Sequence, residues 1–230
     1  MTNVPPPRYY DGTPHRYLLG RGSCLWRVHD RKYCARSFKA VLADPGFGGA
    51  RFDATEADKY PFYYAALDQE TALAETLFRD LHPDDRGRRL LTGAALAGRQ
   101  ISGLTMTQDL ELVSLITGEA LGAIGQDAWL VNAAGSEYAQ TRTWGHWIRG
   151  HAKWAHGFIW NSLRDPGRLA VVLFGDRLAA AFGRDYERRL LHEVPELAVL
   201  LDDAAGGEWM NGMLARYRVA IEPPPPDRDR

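Results

Sequence analysis

Five residues of types that carry chemistry stand at positions where the surrounding apolar pattern does not require them. They are Arg27, Arg51, Tyr64, Glu75 and Ser162. Guanidinium groups bind phosphates through paired hydrogen bonds, an aromatic ring attracts a flat cation, and a carboxylate stabilises a positively charged carbon. Taken singly, each also has a structural explanation, such as a sheet-edge arginine for Arg27 or a turn residue for Ser162.

Each of the five residues is placed by a different predicted element. Glu75 lies on a helix predicted from about Gln69 to Leu81, at the edge of that helix's apolar face. This phase allows Glu75 to face either solvent or a cleft. The other four are placed by these segments: the strand "LWRVHD" (25–30), the glycine-rich loop "DPGFGGARF" (44–52), the aromatic strand "PFYYAA" (61–66) and the strand "GFIWNS" (157–162).

Strands and helices alternate along the chain without a regular βαβ rhythm. This favours the α+β class, with a bent or split sheet, over a doubly wound parallel sheet. The remaining predicted elements are strands at 100–107, 110–116 and 168–175, a short helix at 118–125, a long amphipathic helix at 136–155, a helical pattern interrupted by Pro195 at 186–203, and a last element at 216–222.

One domain with ragged ends is the simplest organisation of the chain. Residues 1–20 are rich in prolines and glycines and predict a flexible N-terminal arm. Residues 21–221 form the predicted single domain. The charged, proline-rich segment 222–230 predicts a disordered or extended tail.

Composition and charge exclude several classes of protein. The chain has 28 Lys and Arg against 29 Asp and Glu, a net charge of −1, which argues against a general nucleic-acid or membrane-surface binder. Arg142, Arg149 and Lys153 cluster, but such charges usually form a solvated helix face. No apolar run approaches the ~20 residues that span a bilayer, and no secretory signal is visible. Cys24 and Cys34 form no CxxC pattern, so we expect free thiols and a cytoplasmic protein.

Several common motifs are absent. There is no GxxxxGK[ST] loop, no GxSxG elbow, and "GFGG" (46–49) is not followed by the helix of a dinucleotide-binding fold. His146, His151 and His156 recur every five residues, which places them on different faces of a helix. We therefore expect no metal site.

The ordered series of segments resembles the RES domain family, named for its arginine, glutamate and serine. "LWRVHD" is similar to the family's first strand, and "GGARFD" to its arginine-bearing loop. "FYYAALDQETALAE" is similar to its tyrosine–strand–turn–helix segment, and "GFIWNSLRDPGRLAVVLF" to its serine strand and the buried strand after it. The resemblance covers about residues 25–175.

The resemblance implies an ADP-ribosyltransferase-like fold and an enzyme that consumes NAD⁺. It implies a toxin whose partner is an antitoxin similar to Xre-type helix-turn-helix proteins. The family's functional positions would be Arg27, Arg51, Tyr64, Glu75 and Ser162. Arginines can bind the pyrophosphate, an aromatic ring can hold the nicotinamide, and a carboxylate can stabilise the oxocarbenium character of the ribose. Ser162 could position the substrate through a hydrogen bond to the nicotinamide or ribose.

The resemblance does not identify the group that accepts the ADP-ribose. Cleavage of free NAD⁺ by water or phosphate is the leading hypothesis, and transfer of ADP-ribose to a protein is the alternative. A non-catalytic interaction module on the same fold is a further alternative, against which the filled set of site residues argues. Asn161 stands before Ser162 where proline is more usual, and the segments before 20 and after about 176 could bind an antitoxin, form a homo-oligomer or complete the core.

Overall fold

A computed structural model describes residues 4–78 and 81–221 of the 230-residue chain. The strands are β1 (Arg16–Leu19), β2 (Cys24–Asp30), β3 (Phe62–Ala66), β4 (Arg89–Leu91), β5 (Arg99–Met106), β6 (Leu110–Leu115), β7 (Gly157–Asn161), β8 (Leu169–Phe174), β9 (Leu191–Glu193), β10 (Val199–Leu200) and β11 (Val219–Ile221). The α-helices are α1 (Gln69–Leu77), α2 (Gly93–Leu96), α3 (Gly118–Ala123), α4 (Trp129–Asn132), α5 (Tyr138–His151), α6 (Gly175–Phe182), α7 (Tyr186–Leu190) and α8 (Ala204–Ala215).

One mixed sheet dominates the fold, which confirms the predicted α+β class with a bent, split sheet. Its strands lie in the order β1-β6-β7-β8-β3-β2-β5-β10, and β9 also pairs with β5. All of these pairs are antiparallel except β6 with β7, so the described strands follow no regular βαβ rhythm. The short strands β4 and β11 form a separate parallel pair.

The sheet splits between β2 and β3. Along most of its length β2 pairs with β5, from Cys24 opposite Thr105 to Asp30 opposite Arg99. With β3, on its other side, it is in register only where Trp26 faces Ala66. Because the two strands diverge beyond this pair, a gap opens between them that backbone hydrogen bonds do not fill.

Three apolar clusters stabilise the faces of the sheet. One lies under α5 and includes Phe52, Trp144 and Phe158, and a second packs under α6 and α7 around Tyr63. The third joins α1 to α8 and includes Leu73, Leu77, Met210 and Leu214. Removing this much apolar surface from water is the main driving force for such a fold.

The N-terminal segment is more structured than the sequence indicated. Residues 16–19, assigned to a flexible arm, form β1 and pair with β6 from Val113 to Leu110. Upstream, the Tyr10 hydroxyl donates to the Ala123 carbonyl at 2.8 Å, and the Trp144 indole donates to the Val4 carbonyl at 2.9 Å. The predicted tail, 222–230, lies outside the described residues.

Element boundaries differ from the sequence expectations in the helical regions. The Glu75 helix ends at Leu77 rather than Leu81, and the long helix predicted at 136–155 is α5, which ends at His151. The segment 186–203 is not one interrupted helix but α7, β9 and β10 with a 3-10 turn at Pro195–Leu197. Within the described residues, no helix is both long enough and apolar enough to cross a membrane.

Candidate active site

A cavity of about 960 Å³ opens at the split between β2 and β3. Its wall includes Arg27 to Asp30 of β2 and Tyr64 to Ala66 of β3, on either side of the split that opens beyond the single pair of Trp26 with Ala66. Arg51 and Glu75 also line it. Four of the five residues singled out in the sequence therefore share one cavity, whose size lies within the range of small-molecule sites.

Arg27 is anchored by the segment that follows β2. Its Nη1 donates to the carbonyls of Ala35 at 3.1 Å and Ser37 at 2.7 Å. Its guanidinium lies 4.5 Å from the ring centroid of Tyr63, a cation–π distance. Burial raises the pKa of Tyr63 to about 12, although the nearby Arg27 cation opposes this. These contacts fix the arginine in the wall of the cavity.

Arg51 follows the glycine-rich loop and is held at both backbone and side chain. Its Nη2 donates to the Ala133 carbonyl at 3.2 Å, and its own carbonyl accepts from the Thr141 hydroxyl at 2.9 Å. The side chain is only 5% exposed. A buried guanidinium fixed in this way is preorganised for an anion, because binding costs it little conformational entropy.

Tyr64 connects the Arg51 segment to the sheet. Its hydroxyl accepts the Phe52 N–H at 2.9 Å, and its ring lies edge-on to Trp160, with centroids 6.3 Å apart. Burial, and then the nearby Asp53 carboxylate, raises the pKa of Tyr64 well above its ordinary value of 10. The phenol therefore stays neutral at physiological pH.

Glu75 and Ser162 form a hydrogen-bonded pair. The Ser162 hydroxyl donates to Glu75 Oε1 at 2.5 Å, and its oxygen accepts the N–H groups of Arg164 at 3.1 Å and Asp165 at 3.0 Å. The distance is typical of a charge-assisted bond to a carboxylate. Ser162 is 2% exposed, whereas Glu75 is half-buried and lines the cavity. The serine thus lies behind the carboxylate.

Comparison with known proteins decides the family. The family model described as "RES domain" matches residues 24–195. The chain belongs to the RES domain family. Among solved structures it is similar to one described as the crystal structure of the M. tuberculosis MbcT-MbcA toxin–antitoxin complex, with a TM-score of 0.53 and 16% identity over 83% of this chain and 90% of that one. None of the curated proteins compared with the chain matches it.

The RES-domain cavity contains side chains that the sequence did not point to. Lys39 and Arg99 add to the two arginines, and His29 and Trp160 also line the wall. Lys39 reaches the site because its backbone pairs with Phe62, two residues before Tyr64. It stands in an irregular segment, so no periodic pattern marks it. Together with Asp30 and Glu75, the charged lining carries four cations against two anions.

The expectation that Arg142, Arg149 and Lys153 form a solvated helix face is wrong for Arg142 and Arg149. Arg142 does not lie on a solvated helix face, because it is 1% exposed. Its guanidinium donates to the carbonyls of Asp44 at 2.8 Å and Gly48 at 2.7 Å, within the glycine-rich loop. Arg149 is likewise buried and pairs with the carboxylates of Asp58 and Asp176 at 2.8 and 2.9 Å. Only Lys153 of the three is exposed.

The histidines that recur every five residues have separate environments. His146 packs near the Asp53 carbonyl, at 3.3 Å, and burial lowers its pKa. His151 is exposed and contacts the Trp147 ring. His156 donates its backbone N–H to the Glu111 carbonyl. Across residues 4–78 and 81–221 no group of three or more His, Cys, Asp or Glu residues is arranged to hold a metal ion.

Proposed function

We propose that this RES domain cleaves the bond between nicotinamide and ribose in NAD⁺. The observation that carries the proposal is the position of Glu75, whose carboxylate lines a cavity rich in cations and is oriented by a buried serine hydroxyl. A carboxylate in this setting can stabilise the positive charge that develops on the ribose as the bond breaks.

The cationic lining of the cavity complements the negative charge of the pyrophosphate in NAD⁺. The pyrophosphate of NAD⁺ is a dianion, and planar guanidinium groups bind phosphate oxygens through paired hydrogen bonds. Arg27 and Arg51 line the cavity from β2 and from the glycine-rich loop, and both are held by backbone carbonyls. Together they are suited to bind the pyrophosphate.

Nicotinamide is a flat cationic ring, for which Tyr64 offers a fixed aromatic wall. The Tyr64 hydroxyl is engaged by the Phe52 N–H, so the ring cannot swing out of the cavity without losing that bond. Trp160, edge-on to Tyr64, adds a second aromatic side chain to the lining. Stacking and cation–π attraction would favour the charged ring before cleavage over the neutral product.

The chemical step divides between Glu75 and an acceptor. The bond from ribose C1′ to the nicotinamide nitrogen breaks, and its electron pair leaves with neutral nicotinamide. An oxygen of the acceptor then bonds to C1′ and loses its proton to solvent. Glu75 stabilises the cationic sugar between these events, and Ser162 holds the carboxylate at the required orientation through its 2.5 Å hydrogen bond.

Free NAD⁺ with water or phosphate as acceptor is the reaction we favour. A protein acceptor is the alternative, and one observation speaks for it. Tyr33 and Val41 line the cavity and are each 60% exposed, and Phe47 on the glycine-rich loop is 74% exposed. These exposed side chains would offer an acceptor protein apolar surface to contact.

We further propose a toxin role with an antitoxin as partner. The structural neighbour was solved as a toxin–antitoxin complex, and depletion of NAD⁺ would be harmful to any cell. An Xre-like helix-turn-helix protein is the partner we expect. Cys24 and Cys34 are free thiols, which fits a reducing cytoplasm, where NAD⁺ is abundant.

The test is nicotinamide release from NAD⁺ by the purified chain, followed by chromatography with mass detection, with and without phosphate and a cell lysate. Release in buffer alone indicates hydrolysis, and dependence on phosphate indicates phosphorolysis. Release that needs lysate and adds mass to one protein indicates a transferase. If folded protein without any antitoxin releases nothing under all these conditions, the enzyme hypothesis is wrong and a non-catalytic module is favoured.

A further inference from the structure

The carboxylate of Glu75 and the hydroxyl of Ser162 come from distant segments. Glu75 lies on α1, and Ser162 opens the turn between β7 and β8. Their meeting at 2.5 Å therefore depends on how α1 sits against that turn. Apolar packing brings a helix to a surface but defines its rotation and its position along its axis only loosely, because dispersion contacts have no direction.

A second hydrogen bond joins α1 to the same turn. The Thr71 hydroxyl donates to Asp165 Oδ2 at 2.7 Å. Thr71 is 0% exposed and lies four residues before Glu75, so the two side chains project from the same face of the helix, one turn apart. The helix is thus attached to the turn at two points, Thr71 to Asp165 and Glu75 to Ser162.

The turn itself is rigid enough to transmit this constraint. The Ser162 oxygen accepts the Asp165 N–H, the Ser162 N–H donates to the Arg168 carbonyl at 2.8 Å, and the Arg168 N–H donates to the Asp165 carbonyl at 3.1 Å. Asp165 and Ser162 therefore hold a fixed spacing. Once Thr71 is bound to Asp165, the place where the Glu75 carboxylate meets Ser162 is determined.

The C-terminal part of the chain also contacts α1 and the turn between β7 and β8. Tyr217 lies beyond the family match, which ends at residue 195, and its ring packs on Phe78 with centroids 5.5 Å apart. Burial, and then the Asp165 carboxylate, raises the pKa of Tyr217 to about 12. The exposed ion pair of Arg168 with Asp68 at 2.6 Å also spans turn and helix, but such pairs contribute little.

We propose that Thr71 and Asp165 are positioning residues of the active site, which hold α1 so that the Glu75 carboxylate meets the Ser162 hydroxyl. This rests on the proposed cleavage of NAD⁺ by Glu75. Neither residue lines the cavity wall or belongs to the Arg, Tyr, Glu and Ser set. Their contribution is to orientation, and a displacement of about 1 Å at a reacting group costs on the order of 100-fold in rate.

The decisive variants are Thr71→Val and Thr71→Ser. Valine has nearly the same shape and removes the hydroxyl, whereas serine keeps it. We expect Thr71→Val to lower kcat for nicotinamide release by roughly 10- to 100-fold with little change in KM, and Thr71→Ser to retain most activity. Thr143→Val on α5, an exposed site away from the cavity, makes the same chemical change and should leave kcat unchanged.

A second pair of variants tests Asp165, which accepts the hydrogen bond from Thr71. Asp165→Asn keeps an oxygen that can accept from Thr71 and should stay close to wild type, whereas Asp165→Ala should behave like Thr71→Val. If Thr71 only stabilised the fold, both Thr71 variants would melt at a lower temperature than wild type, but kcat would not fall at an unchanged KM. Equal kcat for Thr71→Val and wild type would overturn the proposal.

Hydrogen exchange separates failure of this proposal from failure of the proposed function. In Thr71→Val, amides of α1 (Gln69–Leu77) and of the turn at 162–168 should exchange faster together, and those of α5 should not. If wild type does not release nicotinamide, the NAD⁺ hypothesis is wrong. The exchange pattern still tests whether Thr71 and Asp165 attach α1 to the turn. Unchanged exchange in both segments would overturn the positioning role regardless of activity.

Discussion

The Ser162 hydroxyl holds Glu75 Oε1 at 2.5 Å while its oxygen accepts two backbone N–H groups, from Arg164 and Asp165. Accepting two hydrogen bonds polarises a hydroxyl and makes it a stronger donor. The serine, 2% exposed, is therefore a fixed donor behind the carboxylate. Under the proposed function, this relationship would give the arginine, glutamate and serine different tasks: the arginines would bind the pyrophosphate, the glutamate would act on the sugar, and the serine would orient the glutamate.

Glu75→Gln should abolish most turnover while leaving the fold and NAD⁺ affinity nearly intact. Glutamine preserves shape and can still accept from Ser162, but it carries no charge to stabilise the cationic ribose. We expect kcat to fall by about 100-fold or more, measured as nicotinamide release. Glu119→Gln, an exposed change on α3, is the matched control and should keep wild-type rates. Wild-type rates in Glu75→Gln would contradict the assignment.

Ser162→Ala should impair both catalysis and stability. The variant frees the Glu75 carboxylate and leaves the N–H groups of Arg164 and Asp165 without their acceptor. We expect kcat to fall by roughly tenfold or more and the free energy of unfolding to fall by about 1–2 kcal/mol. Ser114→Ala on β6, also a buried serine but outside the cavity, controls for the loss of a hydroxyl. Unchanged kcat in Ser162→Ala would remove the orienting role.

Much of the fold follows from local sequence pattern. The strands β2, β3, β5, β6, β7 and β8 were predicted because each is an apolar or alternating run of strand length between turn residues. The helix α8 was missed because Gly206 and Gly207 interrupt its pattern. Gly206 is required there, since a Cβ would lie 1.7 Å from the Leu200 carbonyl oxygen. That close approach involves tertiary structure, which a local pattern does not contain.

The site could be predicted only in part. Of the five residues that the sequence singled out, the structure places four around one cavity: Arg27, Arg51, Tyr64 and Glu75. The contact between Thr71 and Asp165 joins residues 94 positions apart, and nothing in either segment indicates the other. Arg142 was taken for a solvated charge because its acceptors are backbone carbonyls, which every residue carries. Periodicity shows where a side chain is buried but not which partner makes a buried charge stable.

Arg51→Lys should weaken NAD⁺ binding more than it weakens the fold. Lysine keeps the charge but loses the planar group that binds phosphate bidentately. We expect the Kd for NAD⁺, measured by calorimetry, to rise roughly tenfold, about 1.4 kcal/mol. Arg184→Lys, an exposed arginine on the loop after α6, makes the same change away from the cavity and should leave Kd unaltered. Equal affinity in the two variants would exclude Arg51 from the phosphate site.

Arg142→Met should loosen the glycine-rich loop and, through it, Arg51. The variant removes the donors to the Asp44 and Gly48 carbonyls. Because that loop is exposed, water can replace the lost hydrogen bonds, so we expect a stability loss of only about 1–2 kcal/mol. Limited proteolysis within residues 44–50 should accelerate, and NAD⁺ affinity should fall. Lys153→Met, an exposed change just beyond α5, should do neither. Unchanged loop proteolysis would show that Arg142 does not order this segment.

Acidification should destabilise the fold through His29, which lines the cavity and is 9% exposed. Its Nε2 lies 3.0 Å from the Ser102 hydroxyl, and its Nδ1 3.1 Å from the Asp30 carbonyl. Burial lowers the pKa of His29, the hydrogen bond to the Asp30 carbonyl opposes this, and the Arg27 cation lowers the pKa further.

Because the folded pKa of His29 lies below its unfolded value of 6.5, the unfolded state binds the proton first. The contribution of neutral His29 to the free energy of unfolding is therefore fully present above pH 6.5. It falls as the pH drops from 6.5 through the folded pKa. In His29→Gln, where an amide oxygen takes the place of Nε2, the unfolding free energy should fall less steeply between pH 7 and 5. Denaturant unfolding at a series of pH values measures both slopes, and equal slopes would show that His29 does not titrate differently in the two states.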